Sequence, residues 1–138
     1  MKNSPDIDKI KALLKQSNLP YEDIVASEVQ FLTEESADEL KGCIGLEQFG
    51  KEGLMRSLAI EDSCKSQGLG KKLIEQLILK CKAIGVNRLH LLTTTASDYF
   101  LKYGFRISQR DAAPPSVLKS KEFSEICPAS SVYMIRDI

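Results

Sequence analysis

The chain has 138 residues and a mass of 15.4 kDa, and its 19 Lys plus Arg balance 19 Asp plus Glu. That length suits one domain with an ordinary core, without disulfides or metals, and the zero net charge argues against nucleic-acid binding by bulk positive charge. With 43% apolar and 28% charged residues the composition is globular, not disordered, and no apolar run approaches the roughly 18 residues that span a bilayer.

Ser4-Pro5-Asp6 reads as a helix start, with a cap, a proline at the first helical position and an acid in the first turn. Ile7, Ile10, Leu13 and Leu14 follow at helical spacing, and Asn18 and Pro20 stop that helix. Tyr21 to Ala26 reads as a second short helical segment, and Val29 to Leu32 as a short strand. Leu40 to Phe49 reads as a longer strand, Gly50 and Gly53 bracket a hairpin turn, and Leu54 to Ile60 is the returning strand. Leu69, Leu73, Ile74, Leu77, Ile78 and Cys81 give one apolar face to a helix over Leu69 to Ile84, ended by Gly85. Arg88 to Thr94 is a strand, Ala96 to Tyr103 a short helix stopped by Gly104, and Phe105 to Ile107 a strand start. Pro114 and Pro115 open a helical stretch through about Ile126 that Pro128 breaks, and Val132 to Ile135 is a closing strand. The order predicts a single domain over 1–138 of the α/β (α+β) class, a sheet with helices on it.

Cys43, Cys64, Cys81 and Cys127 form no CxxC pair and His90 is the sole histidine, so no metal site is expected. Isolated cysteines and an N-terminus without an apolar leader read as a reduced, cytoplasmic protein. His90 reads as a packing or surface residue.

The chemical signal lies between the strand ending at Ile60 and the helix opening at Leu69. A glycine-bearing turn there directs unpaired backbone N–H groups, and the positive end of the helix dipole, at one point that suits a phosphate or pyrophosphate. Gly68 and Gly70 permit close approach, and Lys65, Lys71 and Lys72 add charge. The turn is neither a P-loop nor a Rossmann fingerprint, because G-x-x-x-x-G-K-[ST] is absent and Leu73 stands where a third glycine belongs.

Lys65-Ser66-Gln67-Gly68-Leu69-Gly70 resembles the Q/R-x-x-G-x-G/A pyrophosphate motif of the GNAT superfamily of acetyl-CoA-dependent N-acetyltransferases, with Lys65 at the Q/R position. Leu91 to Phe105 resembles that family's fifth strand, its short helix with paired aromatics and its G-F ending. More narrowly, Gly53 to Ile60, Leu91 to Ala96 and Phe123 to Ser130 are similar to small GNATs associated with arsenic resistance and to N-acetylglutamate-synthase-like domains. The first 40 residues match only in outline, and the family's first strand is short or missing.

The resemblance implies a mixed sheet splayed between the family's strands four and five, with helices on both faces and acetyl-CoA in the opening. Leu58, Ala59 and Ile60 would bond the pantetheine through their backbone. The turn Lys65, Ser66, Gln67, Gly68, Leu69, Gly70 and Lys71 would hold the pyrophosphate, with Thr93 and the Phe100 ring at the splayed end. Catalysis would rest on proximity and on backbone N–H groups that polarise the thioester. Two departures stand out. Leu54 and Met55 occupy the region of the family's strand-four glutamate base, and Phe100 replaces the tyrosine acid. Tyr99 is turned by about 100° on the helix and is expected to face elsewhere. Cys127, Ser130 and Tyr133 are the remaining candidates for proton transfer, so no catalytic residue is assigned.

Arg56 and Thr95 are the substrate-binding candidates. By the strand period of two, Arg56 shares a face with Leu58 and Ile60, where a guanidinium suits a substrate carboxylate. An ion pair with Glu47 or Glu61 is the equal alternative. The leading expectation is N-acetylation of a small amino-acid-like amine by a monomer or homodimer. Protein or peptide acetylation and a non-catalytic acyl-CoA-binding module are the competing readings.

Overall fold

The computed structural model describes residues 6–65, 67–128 and 130–138. Helix α1 spans Ile7–Gln16, and Asp6 caps it by accepting the Lys9 N–H at 3.2 Å. The expected cap and proline, Ser4 and Pro5, lie outside the described residues. Residues 22–28 form consecutive turns, not the expected second helix. Strands β1 (Gln30–Ser36), β2 (Glu39–Phe49) and β3 (Glu52–Ile60) make an antiparallel meander. Helix α2 (Leu69–Ile84) then crosses over to β4 (Arg88–Thr93), which runs parallel to β3, as a crossover helix allows. Helix α3 (Ser97–Leu101), β5 (Arg106–Ser108), α4 (Pro115–Leu118) and β6 (Val132–Asp137) complete the chain. The expected helical stretch to Ile126 is interrupted, since after α4 the backbone re-forms as a π-helix over Glu122–Ile126.

The sheet order is β1-β2-β3-β4-β6-β5, with β6 antiparallel to both neighbours. It is mixed and carries helices on both faces, as expected. Six strands are present among the described residues, so the splay expected between strands four and five falls between β3 and β4. One face packs α2 (Leu73, Ile74, Leu77, Cys81) on Ile44, Leu46, Met55, Leu89, Leu91 and Met134. The other packs α1 (Ile10, Leu13, Leu14) on Ile24, Cys43 and Ala59. Beside α1, Val117 of α4 and Phe123 of the π-helix cover Leu54, Tyr133 and Ile135.

The register of β3 carries a defect that matters for the site. Cys43 faces Ala59 but Gly45 faces Arg56, so β3 holds one residue more than β2 across that interval. Ser57 sits in the bulge with φ 61°, a conformation rare outside glycine. The extra residue inverts the alternation. Met55, Leu58 and Ile60 pack on the α2 face while Ala59 packs on the α1 side. Arg56 is therefore opposite Leu58 and Ile60, not on their face as a strict period of two predicts.

Candidate active site

β3 and β4 pair only over Glu52–Leu54 and Arg88–His90. Beyond that point they part, and the opening is a cleft of about 760 Å³. Its walls are Leu58, Ala59 and Ile60 on β3, Thr93 at the end of β4 with Thr94 to Ala96 after it, and Tyr99 and Phe100 on α3. At one end lies the α2 N-terminus, with Lys65, Gly68, Leu69, Gly70 and Lys71. At the other end lie Arg56, Ser57, Glu122, Cys127 and Ser131.

The turn has the geometry an anion needs. Gly68 caps α2 in the left-handed conformation, φ 77°, and no side chain caps the helix. The first intrahelical bond runs from the Lys72 N–H to the Gly68 carbonyl at 3.1 Å. The N–H groups of Leu69, Gly70 and Lys71 precede it and have no intrahelical acceptor. Lys65 lies 3.0 Å from Asp62, and Lys72 turns away to Glu34 at 2.9 Å, so Lys72 adds no charge to the cleft. The Gln67 side chain reaches the Ser63 carbonyl at 3.4 Å and borders a second hollow with Glu34, not the cleft. Ser66 lies outside the described residues.

At the splayed end the assignments sharpen. Thr93 Oγ1 accepts the Ala96 N–H at 3.0 Å, so its hydroxyl closes the turn into α3. Thr95 lines the cleft. Phe100 packs edge-on to Tyr99 and Phe105 and carries no proton to give. Tyr99, expected to face elsewhere, also lines the cleft. Its hydroxyl rests on Gly70, where a Cβ would collide with it. Burial, then the neighbouring Tyr103, push the Tyr99 phenol up to about 12.

Arg56 is not a lone cation. Its two Nη atoms donate in a fork to Asp23 at 2.7 and 2.6 Å, and Nη1 also donates to Glu47 at 3.0 Å. Nε donates to Ser57 Oγ at 3.2 Å and lies 3.2 Å from Glu122 Oε2. The side chain is fully buried. Of the two foreseen partners Glu47 is present and Glu61 is not, and the guanidinium is already occupied by protein carboxylates. Arg56 is the centre of a buried ionic cluster, which matches the ion-pair alternative with Glu47 and not the substrate-carboxylate one. Burial alone would raise the Asp23 carboxyl, but its bonds to Arg56 hold it below the ordinary aspartate value. Burial wins at Glu47, which is raised despite Arg56. At Glu122 burial again outweighs Arg56 and pushes the carboxyl up to about 7.

Asp23, Glu122 and Ser131 escaped the sequence reading. Nothing beside them in the sequence distinguishes a buried acid or hydroxyl from a solvated one. A buried arginine in need of partners was the available signal, and it pointed to Glu47 and Glu61, of which only Glu47 is a partner. Of the three foreseen proton carriers, Cys127 borders the cleft, and burial raises its thiol to about 11. Ser130 is exposed, and Tyr133 is engaged with His90 at 2.7 Å. His90 itself is buried between Tyr133 and Glu52, 2.6 Å away. Among the described residues, no group of three His, Cys, Asp or Glu could hold a metal ion, and no helix is long and apolar enough to cross a membrane.

The sheet thus parts beside a helix N-terminus that no side chain caps, which leaves a cleft with an anion-suited end. The model of the GNAT acetyltransferase domain matches residues 26–107, more than half of the chain, and the chain belongs to that family. An amino-acid acetyltransferase of Neisseria meningitidis is 30% identical over 87 residues, which are 62% of this chain and 20% of that protein. A Ralstonia nicotianae amino-acid acetyltransferase is 33% identical over 75 residues, 53% of this chain and 17% of that protein. The chain thus spans about a fifth of the length of these curated relatives. The N-acetylglutamate synthase of Neisseria gonorrhoeae, solved with coenzyme A and N-acetyl-glutamate, superposes with a TM-score of 0.81 at 26% identity. The match covers 98% of this chain and 33% of that one.

Proposed function

We propose that this chain is an N-acetyltransferase that moves the acetyl group of acetyl-CoA to the primary amine of a small, amino-acid-like substrate. The observation that carries this reading is the cleft where β3 and β4 part, with the bare α2 N-terminus at one end and the free backbone of Leu58–Ile60 along its side. In this reading the N–H groups of Leu69, Gly70 and Lys71 hold the pyrophosphate. The pantetheine pairs with Leu58–Ile60 as an added strand. Leu58, Phe100 and Thr95 border the acetyl end. The amine attacks the thioester carbon directly. Proximity supplies most of the rate, and backbone N–H groups polarise the carbonyl. The thiolate leaves readily because an ordinary thiol has a pKa of about 8.5, so Phe100 at the tyrosine position does not disable the reaction.

The amino-acid class is supported by the relatives' own substrate class. It is not supported by Arg56, which has no free donor fork for a substrate carboxylate. The test is a panel of amino acids and simple amines with acetyl-CoA, followed by released thiol and by mass spectrometry of the product. A gain of one acetyl group on one or a few small amines is the expected result. Binding of acetyl-CoA with no thiol released by any amine would instead favour a binding module.

A further inference from the structure

We propose that Glu122 is the proton acceptor for the attacking amine, a role that rests on the transferase reading above. Three carboxylates surround one guanidinium, and they share it unequally. Asp23 takes a two-bond fork and Glu47 a bond of 3.0 Å. Glu122 meets only Nε, at 3.2 Å, and Nε also donates to Ser57. The least satisfied acid is also the one that borders the cleft, whereas Asp23 and Glu47 lie behind it. Glu122 stands on the π-helix, whose wider turn re-aims side chains and recurs at functional sites.

A second observation falls in the same corner. Ser131 Oγ is the one buried side-chain polar atom without a hydrogen-bond partner among the described residues. Ser131 is 8% exposed and borders the same cleft as Glu122. A buried hydroxyl left unbonded is uncommon and calls for a partner, and an incoming polar group supplies one. The charged and titratable groups facing Glu122 are Arg56 on β3, Glu47 on β2, Asp23 in the turn after α1 and Cys127 beyond the π-helix. Arg110 lies further back, on the Phe123 and Pro128 carbonyls.

An alkylammonium gives one proton to the Glu122 carboxylate and becomes a neutral amine. Its nitrogen lone pair forms the C–N bond at the thioester carbon, and the C–S bond breaks with its electrons on sulfur. The second nitrogen proton goes to the thiolate, and Glu122 releases the first to water. The products are the amide, the CoA thiol and one proton.

The test is Glu122→Gln, with acetyl-CoA binding by calorimetry and kcat/KM for the amine from pH 5.5 to 9. A lost proton acceptor should lower kcat/KM by about a hundredfold or more, with acetyl-CoA affinity unchanged. The wild-type profile should rise and level off above about pH 7. The variant should keep rising toward the amine's own pKa, because only free amine then reacts. Glu122→Asp should recover part of the rate and the plateau. A glutamine variant within about threefold of wild type, with the same profile, overturns the role. If that variant does not fold, the wild-type profile decides, and the absence of a plateau overturns it. A wild type that binds acetyl-CoA yet releases no thiol with any amine overturns the transferase reading, and this role with it.

Discussion

Arg56 carries charge for three acids that would otherwise be buried without a counter-ion. Removing one partner of a buried ionic cluster costs about 3–5 kcal/mol, because the remaining charges stay desolvated. Arg56→Met should therefore lower unfolding stability by about that amount in a urea titration, far more than an exposed arginine would. His90 gives a different signature. In its neutral form Nε2–H donates to Glu52, whose carboxylate can only accept, and Nδ1 accepts from the Tyr133 hydroxyl. Burial lowers its pKa and outweighs the Glu52 bond, which raises it. The unfolded chain then takes a proton near pH 6.5 more readily than the folded one, so His90 makes stability fall as pH drops below that value. The raised Glu122 carboxyl acts in the opposite sense, so the clean measurement is a comparison. The Tm loss between pH 7.5 and 5 should be larger in wild type than in His90→Gln.

At the level of elements, the start of α2 and the ring of Tyr99 are fitted to each other. Gly70→Ala drives a methyl group into the Tyr99 hydroxyl. It should weaken acetyl-CoA binding and lower Tm even before any ligand is present. Tyr99→Phe removes the oxygen, and the Gly70→Ala/Tyr99→Phe pair should recover much of the Tm, a coupling that a double-mutant cycle measures. The same elements show which structure a sequence reveals. α2 was legible to the residue, because six apolar positions at helical spacing end at a glycine. The hairpin and the glycine turn were legible for similar local reasons. The bulge at Ser57 was not, because nothing in Arg56-Ser57-Leu58 marks an extra residue, and its effect was to turn Arg56 to the other face. The segment at Tyr21 to Ala26 was misread as helix. It is a run of turns that presents Asp23 to Arg56, a partner 33 positions away. The two-proline start at Pro114 suggested one helix, but Ser120 Oγ bonds the Val117 carbonyl at 2.6 Å and the chain resumes as a π-helix. In each case a contact remote in sequence, or local backbone competition, overrode the local pattern.

For the molecule as a whole, the sheet is two three-stranded halves joined by a short seam. β1-β2-β3 and β4-β6-β5 share only the pairs from Glu52–Arg88 to Leu54–His90, with α2 bridging them. A ligand that fills the cleft ties the halves together and stabilises the folded state by mass action. At a hundredfold excess over Kd that is about 2.7 kcal/mol, so saturating acetyl-CoA should raise Tm by several degrees in a thermal melt.

The seam has a further consequence. An ordinary open sheet has two edges, whereas among the described residues this one has four, since β3 beyond Leu54 and β4 beyond His90 each present backbone groups that no described strand meets. Inner edges of this kind are templates for strand addition by any extended chain. If acetyl-CoA pairs along the β3 edge as proposed, it covers one of these inner edges, and the ligand-free form is the one expected to self-associate first. Light scattering on warming should rise earlier without acetyl-CoA than with it, at matched protein concentration and below the melting transition of either form.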